Sequence, residues 1–147
     1  MTPVTAFDTD VLIYAAAEGH PLGARVLALF TGETSGQVGV GSVLLLAEVL
    51  AKPLRTDPTS AATDALVHLL SRVDLLPLDD ATGRLALAVA MRYGLRAADA
   101  VHLATAISGG ADRFLTNNRR DFPKSIVEIE IVYPEDLPDP QMSPSVR

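Results

Sequence analysis

Cysteine is absent from the sequence, which removes a disulfide framework, a thiolate metal site and a thiol nucleophile together. Any metal must therefore sit on oxygen or imidazole. Tryptophan is absent too, and aromatic residues make up only 5% of the chain. Long apolar runs are missing: the uncharged stretch Ser35 to Ala47 falls well short of the roughly 20 residues that span a bilayer, and it includes Ser, Gly and Gln. The N-terminus, MTPVTAFD, has neither the basic start nor the small-residue cleavage site of a signal peptide. These absences give the expectation of a cytoplasmic protein with no membrane segment. Positive charge is scarce, with 12 Lys and Arg against 18 Asp and Glu and a formal net charge of -6. That argues against a simple electrostatic nucleic-acid binder, because phosphate contacts need cations.

What is present is ordinary for a globular domain: 48% hydrophobic and 20% charged residues in a chain of 147. One core is expected, with the domain at 1–133 and a proline-rich, polar tail at 134–147 that reads as flexible. The charge is spread unevenly. Residues 1–83 carry 4 basic and 10 acidic side chains, 84–124 carry 7 and 3, and 125–147 carry 1 and 5. The positive middle segment (Arg84, Arg92, Arg96, Arg113, Arg119, Arg120 and Lys124) either faces an anionic ligand or forms a solvated helix face.

Along the chain, Val4 to Phe7 reads as a short buried strand ending at Asp8, with Thr9 or Asp10 placed to cap the helix that follows. Pro21 opens a second helix with Leu22, Val26 and Leu29 on one face. Gln37 to Gly41 reads as a strand. Ser42 suits the N-cap of a helix over SVLLLAEVLAK that Pro53 ends, and Asp57-Pro58 begins another that turns Ala62, Leu66, Leu69 and Leu70 inward. Val73 to Leu78 is a third strand. Two helices follow, Asp79 to Tyr93 stopped by Gly94 and Ala97 to Ser108 stopped by Gly109 and Gly110. Arg113 to Thr116 and Ile126 to Tyr133 supply the last strands. This alternation implies an α/β fold, a three-layer sandwich whose mostly parallel sheet of four to five strands is covered by helices. Ligands of such sheets bind beyond the carboxyl ends of the strands.

Three acids stand in otherwise apolar surroundings. Asp8 ends the first strand, Glu48 is the single acid of Ser42 to Ala51, and Asp99 is the single acid of Ala97 to Ser108. A carboxylate taken out of water costs several kcal/mol unless it is paired, hydrogen-bonded or metal-bound. Carboxylates sharing a crevice repel one another until an oxygen-preferring cation such as Mg²⁺ or Mn²⁺ relieves them. Each also has an ordinary structural explanation. Asp8 can cap a helix, Asp99 lies where the helix dipole favours negative charge, and Glu48 can reach the surface or an Arg. His102 follows Asp99 on the same helical face, but a lone His is more often a satisfied core residue than a ligand or base.

Taken in order, AFDTDVLIYA, SVLLLAEVL, RAADAVHLATA and FLTNNRRDF resemble the PIN domain family from Val4 to about Tyr133. The resemblance implies that Asp8, Glu48 and Asp99 hold a catalytic Mg²⁺ or Mn²⁺, with Asn118 at the fourth place and Thr9 and Thr116 as polar neighbours. Many relatives have Asp where this chain has Asn118, and Asp121 is a candidate substitute. It further implies an endoribonuclease in which a metal-activated water attacks a phosphodiester without a covalent intermediate. Arg96, Arg113, Arg119 and Arg120 are candidate RNA contacts by charge. Small members of the family are usually VapC-like toxins paired with a short antitoxin protein, whose Arg can neutralise the carboxylates, and homodimers are usual. Two other readings remain. FDTDV offers the D-x-D of haloacid-dehalogenase-like phosphatases, with Asp8 as nucleophile, Asp10 as acid and only Lys52 and Asp79-Asp80 downstream. The other is a non-catalytic PIN-like binding module.

Overall fold

A computed structural model of the chain describes residues 2–32 and 36–140. Strand and helix alternate as β1 (Thr5–Phe7), α1 (Thr9–Ala16), α2 (Pro21–Leu27), β2 (Gly39–Ser42), α3 (Leu45–Thr56), α4 (Ala61–Ser71), β3 (Val73–Leu76), α5 (Asp80–Tyr93), α6 (Ala97–Ser108), β4 (Arg113–Leu115) and β5 (Glu130–Val132). A short 3₁₀ turn, Pro134–Asp136, closes the series. All the strand pairings are parallel and the order is β3-β2-β1-β4-β5, so the expected α/β sandwich is what forms. Parallel neighbours need crossovers, and the helices supply them on both faces.

The central strands bury both faces, so their residues alternate between two cores rather than between core and water. Phe7, Leu115 and Val132 pack with Val11, Leu12, Val26, Leu45 and Leu69 on one side. Ala6, Phe114 and Ile131 pack with Leu103, Ala104, Phe122 and Val89 on the other. β2 approaches β1 closely because Gly39 has no side chain; a Cβ there would lie 2.2 Å from the Thr5 carbonyl oxygen.

Several local expectations are corrected. Ser42 is not the cap of α3 but the last residue of β2, and its Oγ accepts the Leu44 N–H at 3.1 Å, turning the chain before the helix starts. Pro53 does not end α3. It removes one amide donor, yet the helix runs on to Thr56 and the Pro53 carbonyl accepts the Asp57 N–H at 2.8 Å. α4 begins at Ala61 behind the N-cap Ser60, and Thr63 rather than Ala62 turns inward. β5 is confined to three residues. The tail expected to stay unpacked from residue 134 instead packs at its start: Leu137 is 3% exposed and belongs to the core beside Val26. Arg25 holds it there, donating to the Leu137 carbonyl at 2.7 Å and pairing with Asp139 at 3.5 Å. Residues 141–147 of that tail lie outside the described residues.

Among the described residues, no helix is long and apolar enough to cross a membrane.

Candidate functional site

β1 is the middle strand, and it delivers Asp8 to the carboxyl edge of the sheet. The Asp8 N–H donates to the Leu115 carbonyl at 3.0 Å, which fixes it against β4. One carboxylate oxygen, Oδ1, accepts the Thr9 N–H at 2.8 Å, so Asp8 itself, rather than Thr9 or Asp10, is the N-cap of α1. Oδ2 accepts the Thr116 hydroxyl at 2.7 Å. The residue is almost sealed, at 5% exposure.

The other expected groups come to the same edge. Glu48 lies on the first turn of α3, Asp99 on the first turn of α6, and Asn118 in the turn after β4. Together with Asp8, Thr9, Asp10, Ile13 and His102 they line a cleft of about 390 Å³. Asn118 is set rigidly: its N–H donates to Thr116 Oγ1 at 3.0 Å and its Nδ2 to Asp121 Oδ2 at 2.9 Å, while its Oδ1 accepts the Asp121 N–H at 3.2 Å. Asp121 thus supports Asn118 and does not itself line the cleft.

The electrostatics are those of crowded acids. Burial raises the Asp8 carboxyl above its ordinary range, with Glu48 adding to it against the lowering influence of His102, Thr116 and Thr9. Burial likewise raises Asp99, with Asp8, Asp121 and Glu48 adding like-charge repulsion. Asp10 is pushed up to about 7, by burial first and by Asp8 second. Glu48 goes the other way: burial alone would raise it, but hydrogen bonds from Thr9 and His102 outweigh that and lower it.

The PIN domain family model matches residues 6–125. The chain belongs to the PIN domain family. Its fold is similar to that of a toxin–antitoxin complex from Klebsiella pneumoniae, at TM-score 0.69 and 22% identity over 88% of this chain and 97% of that one. It is also similar to VapBC2 from Rickettsia felis bound to a DNA fragment from its promoter, at TM-score 0.66 and 18% identity over 88% and 98%. No curated protein matches the sequence.

A divalent cation is implied for a PIN domain, and the donor set fits one: carboxylate and amide oxygens, with no Lys or Arg among the strongest influences on Asp8 or Asp99. Asp10 Oδ1 is buried without a hydrogen-bond partner at the same place. Among the described residues no three ligating groups stand together as a preformed metal cluster.

The candidate RNA contacts divide. Arg113 opens β4 at the opposite end of the strand from the cleft, where its Nε donates to Thr5 Oγ1 at 2.8 Å. Arg119 pairs with Glu135 and stacks over the Tyr133 ring at 4.4 Å. Arg96, at the N-cap of α6, and Arg120, between Asn118 and Asp121, are exposed and have no acidic partner among the described residues. Of the D-x-D reading, Asp8 and Asp10 share the cleft, whereas Lys52, Asp79 and Asp80 are not among the residues that line it. Asp10 accepts the Asn117 N–H at 3.0 Å, Asp79 caps α5, Asp80 pairs with Arg84, and Lys52 is exposed on α3.

Two residues of this PIN cleft were undervalued in the sequence. His102 is 3% exposed, but its Nε2 lies 2.5 Å from Glu48 Oε1 rather than in a purely apolar core. Asp10 ties α1 to the turn after β4 through Asn117. The only available signal for His102 was its spacing of three from Asp99.

Proposed function

We propose that this chain is a divalent-metal-dependent endoribonuclease and the VapC-like toxin of a toxin–antitoxin pair. The observation that carries the reading is the convergence of Asp8, Glu48, Asp99 and Asn118 on one cleft, at the carboxyl ends of parallel strands, in a PIN domain. Asp8, Glu48 and Asp99 would hold Mg²⁺ or Mn²⁺, and Asn118 would fill the fourth place with Asp121 behind it. When bound, such an ion acidifies a water and offsets the negative charge that builds on the phosphoryl oxygens. The chain's own residues do the rest. Asp8 is held by the Thr9 N–H and the Thr116 hydroxyl, so its carboxylate would meet the ion with little reorganisation. Arg96, at the start of the helix that carries Asp99, and Arg120, two residues after Asn118, have no acidic partner among the described residues and would supply phosphate contacts that position RNA without reading its sequence.

The net charge of -6 agrees with this arrangement, because affinity then comes from the ion and a few cations rather than from a basic surface. An antitoxin partner is part of the proposal, in line with the two structurally similar complexes. A homodimer is also part of it, and Leu87 and Met91, 62% and 76% exposed on one face of α5, suit such a contact.

The test is incubation of total RNA with purified protein and Mg²⁺ or Mn²⁺, sequencing new 5′-phosphate ends. Discrete cuts are expected, lost in EDTA and lost in Asp8→Asn. A protein that binds Mn²⁺ yet cuts no RNA, free or presented in ribosomes, would sink the nuclease reading in favour of a non-catalytic binding module.

A further inference from the structure

Glu48 is far more exposed than Asp8, the acid that shares its cleft. Its side chain is 34% exposed on α3, whereas Asp8 is sealed between two hydrogen bonds. A glutamate has several rotatable bonds, and presenting it to an ion costs rotamer freedom unless neighbours have already fixed it. Two neighbours do so, from different helices. The Thr9 hydroxyl donates to Oε1 at 2.6 Å from α1, and His102 Nε2 reaches the same oxygen at 2.5 Å from α6. Thr9 Oγ1 and His102 Nε2 are 3.5 Å apart, so the three groups close a triangle with the acceptor oxygen at one corner.

The His102 side chain is 1% exposed, so the ring cannot swing out to water. Its Nδ1 has no partner, and assigning the proton to Nε2 is the choice that leaves no buried N–H orphaned. Both donors meet on Oε1, and no hydrogen bond to Oε2 is present among the described residues. We propose that His102 is a positioning residue: with Thr9 it clamps Glu48 by one oxygen and so presents the other to a divalent ion in the cleft. This rests on the metal reading given above. Groups that orient a metal ligand in this way change metal affinity by about 10–100-fold when removed.

The test uses the full chain and Mn²⁺ alone, with affinity measured by calorimetry and folding checked by the melting temperature in EDTA. His102→Leu, close in volume but without a donor, is expected to bind Mn²⁺ about tenfold more weakly than wild type. His102→Gln, which restores an N–H donor, is expected to recover to within about threefold, and Thr9→Val to lose affinity in the same direction as His102→Leu. Wild-type affinity in His102→Leu overturns the proposal. Equal losses in the Leu and Gln variants overturn it as well, because ring volume rather than the donor would then matter. Should His102→Leu not fold, His102→Gln and Thr9→Val decide: retained affinity in the first with a loss in the second supports the clamp, and any other pattern overturns it. Absence of Mn²⁺ binding in wild type is a separate result, which removes the metal reading itself and the clamp with it.

Discussion

Asp8 has both carboxylate oxygens committed to donors, while Asp99 stands among like charges, and the difference sets how each behaves when altered. Asp99→Asn removes repulsion from Asp8, Asp121 and Glu48, so the metal-free variant should melt slightly above wild type. The same variant should lose most of the gain conferred by Mn²⁺, which at a hundred times its dissociation constant is about 2.7 kcal/mol for wild type. Thermal melts with and without Mn²⁺ measure both effects. The raised carboxyls also fix a pH dependence. A carboxyl whose folded pKa exceeds its unfolded value of about 3.9 contributes stability that is fully present below that value and lost as pH rises through the folded one. For Asp10 the window runs up to about 7, and Asp8 and Asp99 shift in the same direction. In EDTA the melting temperature should therefore be higher at pH 5 than at pH 8, and Asp10→Asn should flatten the slope; a rise between those values would contradict the burial of these acids. Asp8, Glu48 and Asp99 were legible in the sequence because each is an isolated acid in an apolar run. His102 and Asp10 were not, since their partners Glu48 and Asn117 lie 54 and 107 residues away and nothing local distinguishes them from a core histidine and a first-turn acid.

Helices were easier to read than strands for a related reason. α6 spans the expected Ala97–Ser108 and α5 stops at Gly94, which adopts φ 67° as its C-cap. A Cβ at Gly94 meets nothing within 4 Å, so Gly94→Ala isolates the backbone cost of the left-handed conformation. About 1–2 kcal/mol of destabilisation is expected, seen as a lower urea midpoint with unchanged slope. Strand ends carry no comparable signal. Val73 to Leu78 and Ile126 to Tyr133 are apolar beyond the residues that pair, and each ladder is only as long as its neighbour: β3 pairs with the four residues of β2, and β5 with the three of β4. The Ser42 and Pro53 corrections share one cause: a hydroxyl that stabilises a turn and a proline late in a helix look the same in sequence as a cap and a stop.

At the scale of the molecule, packing does not end at the domain boundary drawn from composition. Leu137 sits at 3% exposure in the same core cluster as Val26, and with Arg25 it anchors the start of a polar, proline-rich segment. Leu137→Ala is expected to cost about 2–5 kcal/mol, against less than about 0.5 for the exposed Pro138→Ala, measured by denaturant unfolding. Charge also redistributes on folding. Within the basic segment, Arg84, Arg92, Arg119 and Lys124 pair with Asp80, Glu128, Glu135 and Asp136, so the stretch that looked cationic in sequence is largely neutralised by its own surroundings.

The cleft joins Asp8 to Thr116 and Asn118 across 108 residues and more, through the parallel pairing of β1 with β4. During synthesis the first strand leaves the ribosome long before its partner exists, and that pairing cannot form until residues 113–115 have emerged. Until then the acids sit on separate stretches of an unfinished thread. Whatever chemistry this cleft performs, it has to wait until the far end of the chain has joined the near one.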